Sequence, residues 1–216
     1  MDSSEADIMS EDQSASPNRR EEYAQATRQA IVEAARRLFS ERGYFATKVT
    51  DIAALARVAP ATVYAVSGGK QGLLRTIVDI WSTAPIVADT LDRIATLDDP
   101  AEVMSLIASV VRIMRETSSD VMRVLLSTAP NDAAAAKNLE IATARYRGAF
   151  EPVARRLAEL DALKPGIDER EALDVLWFYF GYAGMFTLHD ENGWSYERTE
   201  RWLRGQASRA LLRDPP

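Results

Sequence analysis

The chain has 216 residues, of which 47% are hydrophobic and 27% charged, so it can form two helical subdomains or one large one. It has no cysteine, which excludes disulfides and thiolate metal sites and favours a reducing, cytoplasmic location. No basic N-terminal segment leads into an apolar run, and the richest apolar stretch, residues 175–188, is too short to span a membrane. We therefore expect neither a signal peptide nor a membrane partner.

The net charge of −6 is distributed unevenly along the chain. Residues 1–18 carry five acidic side chains and no cation, and we predict that they form a disordered acidic tail because they hold few bulky apolar groups. Residues 19–80 carry ten Lys and Arg against six Asp and Glu, and the remainder of the chain is acidic. A basic module on an acidic body is typical of a protein that places one end on phosphate groups.

Helical periodicity begins at Thr27, and Gly43 is a typical left-handed end for the first amphipathic helix. Thr47 is predicted to cap a short second helix. A third short helix is predicted to begin at Pro60, where a missing N–H costs least, and a glycine pair at residues 68–69 ends it.

The rest of the chain has the same helical period and no alternating run of strand length, so we predict an all-α fold. Pro152 is expected to kink a helix that continues to Leu160, residues 168–188 are expected to form one helix, and Ser195 is expected to cap the last one. We predict an N-terminal three-helix helix-turn-helix domain at residues 19–71 and a C-terminal helical domain for ligand binding and dimerisation at residues 72–216.

Two short helices joined by a tight turn, after a longer helix, have the dimensions of a DNA-binding helix-turn-helix. In such a motif the second helix presents its first residues to base edges in the major groove, while hydroxyl groups and lysines contact phosphates. Here Val63 is predicted to point inward. The predicted DNA contacts are Thr47, Lys48, Thr50, Pro60, Ala61, Thr62, Tyr64 and Lys70. Capping alone explains Thr47 equally well, and Lys48 and Lys70 could be ordinary surface lysines.

The stretch TRQAIVEAARRLFSERGYFATKVTDIAALARVAPATVYAVSGGKQGLL resembles the tetracycline-repressor (TetR) family over residues 24–80. The resemblance rests on the Gly43–Tyr44 pair, Thr47, residues 52–53, residues 62–64, and a lysine six residues after Tyr64. It implies a homodimer that represses transcription from a palindromic operator and releases it when a ligand binds the C-terminal core.

Three positions depart from the family's usual pattern. Arg57 stands where a turn glycine is common, Ala59 stands where a serine usually caps the recognition helix, and residues 65–67 read Ala-Val-Ser in place of an aromatic or basic residue, histidine and phenylalanine. We therefore expect a missing phosphate contact, a missing packing anchor and a looser connection at Gly68–Gly69, with altered DNA affinity.

The aromatic side chains of residues 177–186 surround one predicted helix, which has to be buried on all sides. One face would meet the rest of the subunit, and the other would meet a partner subunit together with the last helix. The predicted interface residues are Phe178, Tyr182, Trp202, Leu203 and Leu211. Core packing without an interface is the alternative.

A pocket for a small hydrophobic or amphipathic effector is predicted from apolar and thioether side chains, which suit irregular cavities. Its predicted residues are Trp81, Met104, Ile107, Met114, Met122, Trp177 and Met185. Each of them could equally be plain core.

The sequence offers little for catalysis. A single histidine, His189, leaves no pair for a metal or a triad, and no glycine-rich loop follows a strand. We expect no enzyme activity, no cofactor and no metal, with double-stranded operator DNA and a second copy of the chain as partners. The remaining alternative is a helical dimer that binds a ligand or protein and has lost operator binding.

Overall fold

The computed structural model describes residues 19–213, and the predicted acidic tail lies outside this range. The described chain is all-helical apart from one isolated antiparallel bridge between Leu163 and Leu212, so the predicted fold class is confirmed. The helices are α1 (Arg19–Arg42), α2 (Val49–Ala56), α3 (Pro60–Ser67), α4 (Lys70–Ser82), α5 (Pro85–Ile94), α6 (Pro100–Thr128), α7 (Ala133–Gly148), α8 (Glu151–Glu159), α9 (Glu169–Phe180), α10 (Tyr182–Phe186) and α11 (Tyr196–Leu211), with a 3₁₀ turn at Ala129–Asn131 and a π-helical turn at Thr187–Glu191.

The ends of several helices follow from single polar side chains. The Asp168 carboxylate accepts a hydrogen bond from the Glu171 N–H at 2.8 Å, and the predicted cap Ser195 accepts one from the Arg198 N–H at 3.2 Å. Gly43 is left-handed, with φ +83°, and its N–H bonds to the Phe39 carbonyl, as predicted for the end of α1.

Two predicted long helices are interrupted. Pro152 does not kink a continuous helix: the chain breaks after Gly148, and Pro152 lies in the first turn of α8, where a proline is well tolerated. The helix predicted over residues 168–188 breaks at Gly181, whose ψ of −160° is extended. A Cβ at residue 181 would lie 2.4 Å from the Trp177 carbonyl oxygen, so only glycine fits the break.

Helix α6 is kinked at Ser118, which has φ −146° and ψ 17°. Hydroxyl groups on both sides bond back to the helix: Thr117 Oγ1 donates to the Ile113 carbonyl at 2.9 Å, and Ser119 Oγ donates to the Arg115 carbonyl at 2.6 Å. Such back-bonding satisfies carbonyls locally and bends helices.

The buried side chains form two clusters. The N-terminal core joins α1–α4 to the second half of α6 and to α7, and it includes Phe39, Ile52, Leu73 and Leu125. The C-terminal core joins α5 and the first half of α6 to α8, α9 and α11. Among residues 19–213 no single helix is long and apolar enough to cross a membrane, and only α2 and α3 together meet that criterion, as a pair bent by 101°.

Candidate nucleic-acid interface and cavities

Helices α2 and α3 meet at 101°, within the range of DNA-binding helix-turn-helix motifs. Val63 and Ile52 are completely buried in the N-terminal core, which also contains the apolar face of α1. The turn between α2 and α3 closes when the Val58 N–H bonds to the Ala53 carbonyl at 2.9 Å. The inward direction predicted for Val63 is therefore confirmed.

The first turn of α3 is open to solvent. Pro60 and Ala61 are exposed, Thr62 is half-buried, and Tyr64 is 57% exposed. The Tyr64 ring lies beside Gly69, because a Cβ at residue 69 would come within 3.1 Å of its Cε1 atom. This face carries hydroxyl and methyl groups but no charged side chain.

Thr47 is not placed for either predicted role. Its side chain is 1% exposed, and Oγ1 donates to the carbonyls of Gly43 at 2.8 Å and Leu38 at 3.2 Å. The N-cap of α2 is Lys48, whose backbone N–H donates to Asp51 Oδ2 at 3.3 Å. Thr47 therefore joins the end of α1 to the start of α2, and the predicted phosphate contact is corrected.

Lys70 is also an internal contact. Its Nζ donates to the carbonyls of Tyr44 at 2.7 Å and Thr47 at 2.9 Å, and it lies 4.5 Å from the centre of the Tyr44 ring. Burial lowers the pKa of Lys70 below its ordinary value, against the opposing charge of Asp132. The ammonium group holds the loop between α1 and α2 to α4, which corrects the prediction of a free phosphate contact.

The exposed cations of the motif are Lys48 at the start of α2 and Arg57 at its end. Arg57 has a left-handed backbone, with φ 57° and ψ 43°, a conformation that costs most residues other than glycine about 1 kcal/mol or more. No carboxylate pairs with it among the described residues. An arginine at a position usually occupied by glycine could have indicated a DNA contact. The contacts predicted from the sequence nevertheless do not include Arg57.

The connection from α3 to α4 is held more firmly than the Ala65–Val66–Ser67 sequence predicts. Ser67 Oγ donates to the Val63 carbonyl at 2.8 Å and accepts from the Gly69 N–H at 3.3 Å. A Cβ at Gly72 would lie 1.6 Å from the Ser67 carbonyl oxygen, so α4 starts directly against the end of α3. The expected loosening at Gly68–Gly69 is therefore wrong for the described structure.

Two cavities adjoin each other inside the helical body. One, of about 520 Å³, opens between α1, α4 and α6, with Ile77 and Trp81 in its wall. The other is a small apolar void of about 20 Å³ between α5, α6 and α7, lined by Ile107 and Tyr146. Met114 lines both and separates them.

Three of the seven predicted pocket residues, Trp81, Ile107 and Met114, thus line these cavities, and Trp177 lines a separate groove. Met104, Met122 and Met185 are at most 2% exposed and lie outside these cavities, within the two cores. They fill space between helices, which corrects their predicted pocket role. Periodicity identifies a buried face, but it does not distinguish core from cavity wall.

Four of the five predicted interface residues line one groove, and the fifth is buried in the C-terminal core. Phe178 and Trp202 are 72% and 42% exposed and border an apolar groove of about 640 Å³ between α9, α10 and α11. Tyr182 is half-buried in the groove wall, with its hydroxyl 3.1 Å from Thr143 Oγ1. Leu203 is at the groove floor and Leu211 is completely buried in the C-terminal core, so Leu211 is corrected to a core residue.

Comparison with known proteins identifies the N-terminal part of the chain. Residues 31–77, from the middle of α1 into α4, match the family model for bacterial regulatory proteins of the tetR family. No curated protein matches the chain. The matched residues contain the whole α2–α3 motif.

Solved structures share the fold over most of the chain. A triclosan complex of SmeT, the repressor of the Stenotrophomonas maltophilia multidrug efflux pump SmeDEF, is 21% identical with a TM-score of 0.72, over 88% of this chain and 93% of that one. NalD, the secondary repressor of the MexAB-OprM efflux pump in Pseudomonas aeruginosa, is 24% identical with a TM-score of 0.70, over 90% and 100%. The fatty acid degradation regulator FadR from Bacillus halodurans is 14% identical with a TM-score of 0.68, over 84% and 94%. Residues 31–77 therefore match the helix-turn-helix of the tetR family of bacterial regulatory proteins, and most of the chain shares the fold of these solved structures.

Proposed function

We propose that the protein is a transcriptional repressor that binds a palindromic operator as a homodimer and responds to a small effector. The observation that supports it most directly is the α2–α3 motif, bent by 101° with the first turn of α3 exposed. A helix presented in this way fits the major groove. In this proposal residues 19–71 bind DNA and residues 72–216 bind effector and partner.

The proposed contacts are those of the predicted side chains that the structure leaves accessible. Ala61 offers a methyl group to a thymine, Thr62 and Tyr64 offer hydroxyl groups, and Lys48 and Thr50 lie exposed in the first turn of α2. We add Arg57, whose guanidinium extends from the turn between the two helices and is a strong phosphate ligand. Thr47 and Lys70 do not contact DNA in this proposal, and they position these groups through their internal hydrogen bonds.

The proposed dimer forms through the groove bordered by Phe178 and Trp202. Two large aromatic side chains exposed beside an apolar groove are typical of an interface. A second copy related by twofold symmetry would cover both, and the same symmetry would appear in the operator.

The proposed effector site is the pair of cavities on either side of Met114. The larger cavity, of about 520 Å³, is within the usual range for small-ligand sites. It is lined by α1 of the helix-turn-helix and by α4 and α6, so a molecule bound there contacts the part of the protein that sets the position of α3. The similarity to a structure of SmeT in complex with triclosan supports a small-molecule response.

Selection of genomic DNA fragments by the purified protein tests this function. We expect a palindromic consensus with half-sites one helical turn or a multiple apart, and an affinity that falls steeply with salt because counterions are released. If no fragment were retained at low salt, operator binding would be rejected, and a helical dimer that binds a ligand or protein would be the better description.

A further inference from the structure

Arg115 on α6 is a buried cation without a counter-charge among the described residues. It is 2% exposed, and its Nη2 donates two long hydrogen bonds, to Tyr146 Oη at 3.2 Å and to the Gly181 carbonyl at 3.3 Å. Its Nε has no hydrogen-bond partner within residues 19–213. Other arginines of the body, such as Arg36, Arg112 and Arg123, are more exposed and pair with carboxylates at 2.6–2.8 Å.

The surroundings of Arg115 compensate its charge only in part. The rings of Tyr146, Tyr182 and Phe186 lie 5.2–5.5 Å from the guanidinium carbon. Cation–π contacts of this kind are favourable, but an ion removed from water without an opposite charge costs several kcal/mol. A guanidinium keeps its charge, so an anion is the group that this position lacks.

Arg115 lines neither cavity, and Tyr146 connects it to the small void. Trp81 in the wall of the larger cavity contacts Tyr146, with ring centres 6.0 Å apart, and Tyr146 also lines the small void. The Tyr146 hydroxyl is the group that Arg115 binds. Between the two cavities stands Met114, an unbranched side chain that changes rotamer readily.

We propose that Arg115 anchors the carboxylate of an amphipathic effector whose apolar tail occupies the cavity between α1, α4 and α6. The carboxylate enters past Met114, takes the place of the Tyr146 hydroxyl on Arg115 and accepts hydrogen bonds from Nη2 and the free Nε in the bidentate geometry typical of arginine. Tyr146 keeps a partner, because its hydroxyl donates to the Phe180 carbonyl at 2.5 Å. The inference rests on the proposed effector response and names the chemical class of the effector.

Thermal unfolding with matched probes tests the anion site. Hexanoate, decanoate and tetradecanoate are each compared with the alcohol of the same length, below the concentration at which they form micelles. We expect the best carboxylate to raise the Tm of the wild-type protein by about 5 °C at saturation, and its alcohol to raise it much less. Equal shifts for every acid and its alcohol, or no shift at all, would overturn the proposal.

Variants of Arg115 and Arg112 test whether Arg115 causes the preference for the acid over the alcohol. Arg115→Met should abolish the difference between acid and alcohol, whereas Arg112→Met, which removes a carboxylate-paired arginine on the same helix, should keep it. Arg115→Met should fold, because exchanging an unpaired buried charge for an apolar side chain of similar size is often neutral or stabilising. Should it not fold, Arg115→Lys serves, and it should keep a weaker preference for the acid. A preference that persists undiminished in either variant would rule out Arg115 as the anchor.

Operator affinity separates this inference from the proposed function. If the carboxylate binds through Arg115 and weakens operator binding, both proposals are supported. If it binds through Arg115 and operator affinity is unchanged, the anion site is supported and its role as the effector site is rejected.

Discussion

Arg36 on α1 binds Asp120 just beyond the kink of α6, 84 residues along the chain. Its Nε lies 2.7 Å from Oδ2 and its Nη2 2.7 Å from Oδ1, and Nη2 also donates to the Thr117 carbonyl at 2.5 Å. The guanidinium thus connects α1, the first helix of the three-helix N-terminal domain, to the point where α6 bends. The proposed effector cavity adjoins this contact, since Arg36, Thr117 and Ser118 all line it.

Asp120→Asn should destabilise the protein by about 1 kcal/mol at neutral pH, because it removes the charge from a bidentate, partly buried pair. Urea unfolding of the variant and the wild type measures the difference. Glu41→Gln is the matched control: it removes the exposed pair between Arg37 and Glu41, and should change stability by less than about 0.5 kcal/mol. An Asp120 variant no less stable than this control would contradict the expectation.

The same pair predicts a dependence on pH. Burial alone would raise the pKa of Asp120, but the hydrogen bonds and charge of Arg36 outweigh burial, and the pKa lies below its ordinary value. A carboxylate with a lowered folded-state pKa stabilises fully above its unfolded pKa of about 3.9 and loses that contribution as the pH falls through the folded value. The stability gap between wild type and Asp120→Asn should therefore be constant from pH 7 to about pH 5 and shrink below about pH 4, as urea titrations at each pH would show.

Lys70→Met should lower stability and leave the electrostatics of DNA binding nearly unchanged. The variant loses charged hydrogen bonds to the carbonyls of Tyr44 and Thr47, each of a kind worth about 1.5–3 kcal/mol. Because Nζ is turned toward these carbonyls, the slope of log affinity against log salt should not change. A slope reduced by about one unit would restore the phosphate contact that the sequence predicts.

Arg57→Gly should make the protein more stable and lower its affinity for DNA. Glycine takes the left-handed conformation without steric cost, so the free energy of unfolding should rise by about 0.5–1 kcal/mol. Loss of a phosphate contact should reduce operator affinity and flatten the salt slope by about one unit. Thermal unfolding and binding measured over a salt series give the two effects separately.

Asp161→Gly is a control for the effect on DNA binding but not for the effect on stability, because the Asp161 carboxylate pairs with Arg213 at 2.8 Å. Among residues 19–213, Arg57 and Asp161 are the two non-glycine residues with a positive φ, and that of Asp161 is 51°. Asp161 follows α8 and is far along the chain from the α2–α3 motif. Its replacement should leave operator affinity and salt slope unchanged. Unaltered DNA binding in Arg57→Gly would show that Arg57 occupies the turn for some other reason.

The sequence predicts the helix-turn-helix well and the internal contacts poorly, for a physical reason. Val63 and Gly43 are identified by local rules of periodicity and backbone conformation, which depend on neighbours along the chain. The partners of Thr47 and Lys70 are backbone carbonyls brought together only by folding, so a hydroxyl or an ammonium facing inward looks like a DNA contact in the sequence.

Prediction from the sequence has the same limit in the C-terminal half of the chain. The run Thr117–Ser118–Ser119 could have indicated a bend in α6, because hydroxyl side chains compete for helix carbonyls. The burial of Arg115 without a carboxylate could not have been foreseen, since an arginine in an amphipathic helix is ordinarily placed on the solvent face. Its environment depends on α7, α9 and α10, which are distant in sequence.

Phe178→Lys should convert the proposed dimer to a monomer. Phe178 is the most exposed aromatic side chain of the α9–α11 groove, and twofold symmetry would place it in the interface twice. Loss of about 1.5 kcal/mol of apolar burial at each copy weakens association by about 100-fold. Light scattering across a dilution series measures the change.

Ile80→Lys is the control: Ile80 is 59% exposed on α4, outside the groove, and its variant should stay dimeric. If Ile80→Lys dissociated and Phe178→Lys did not, the interface would have to lie on the α4 side, where it would cover the cavity proposed for the effector.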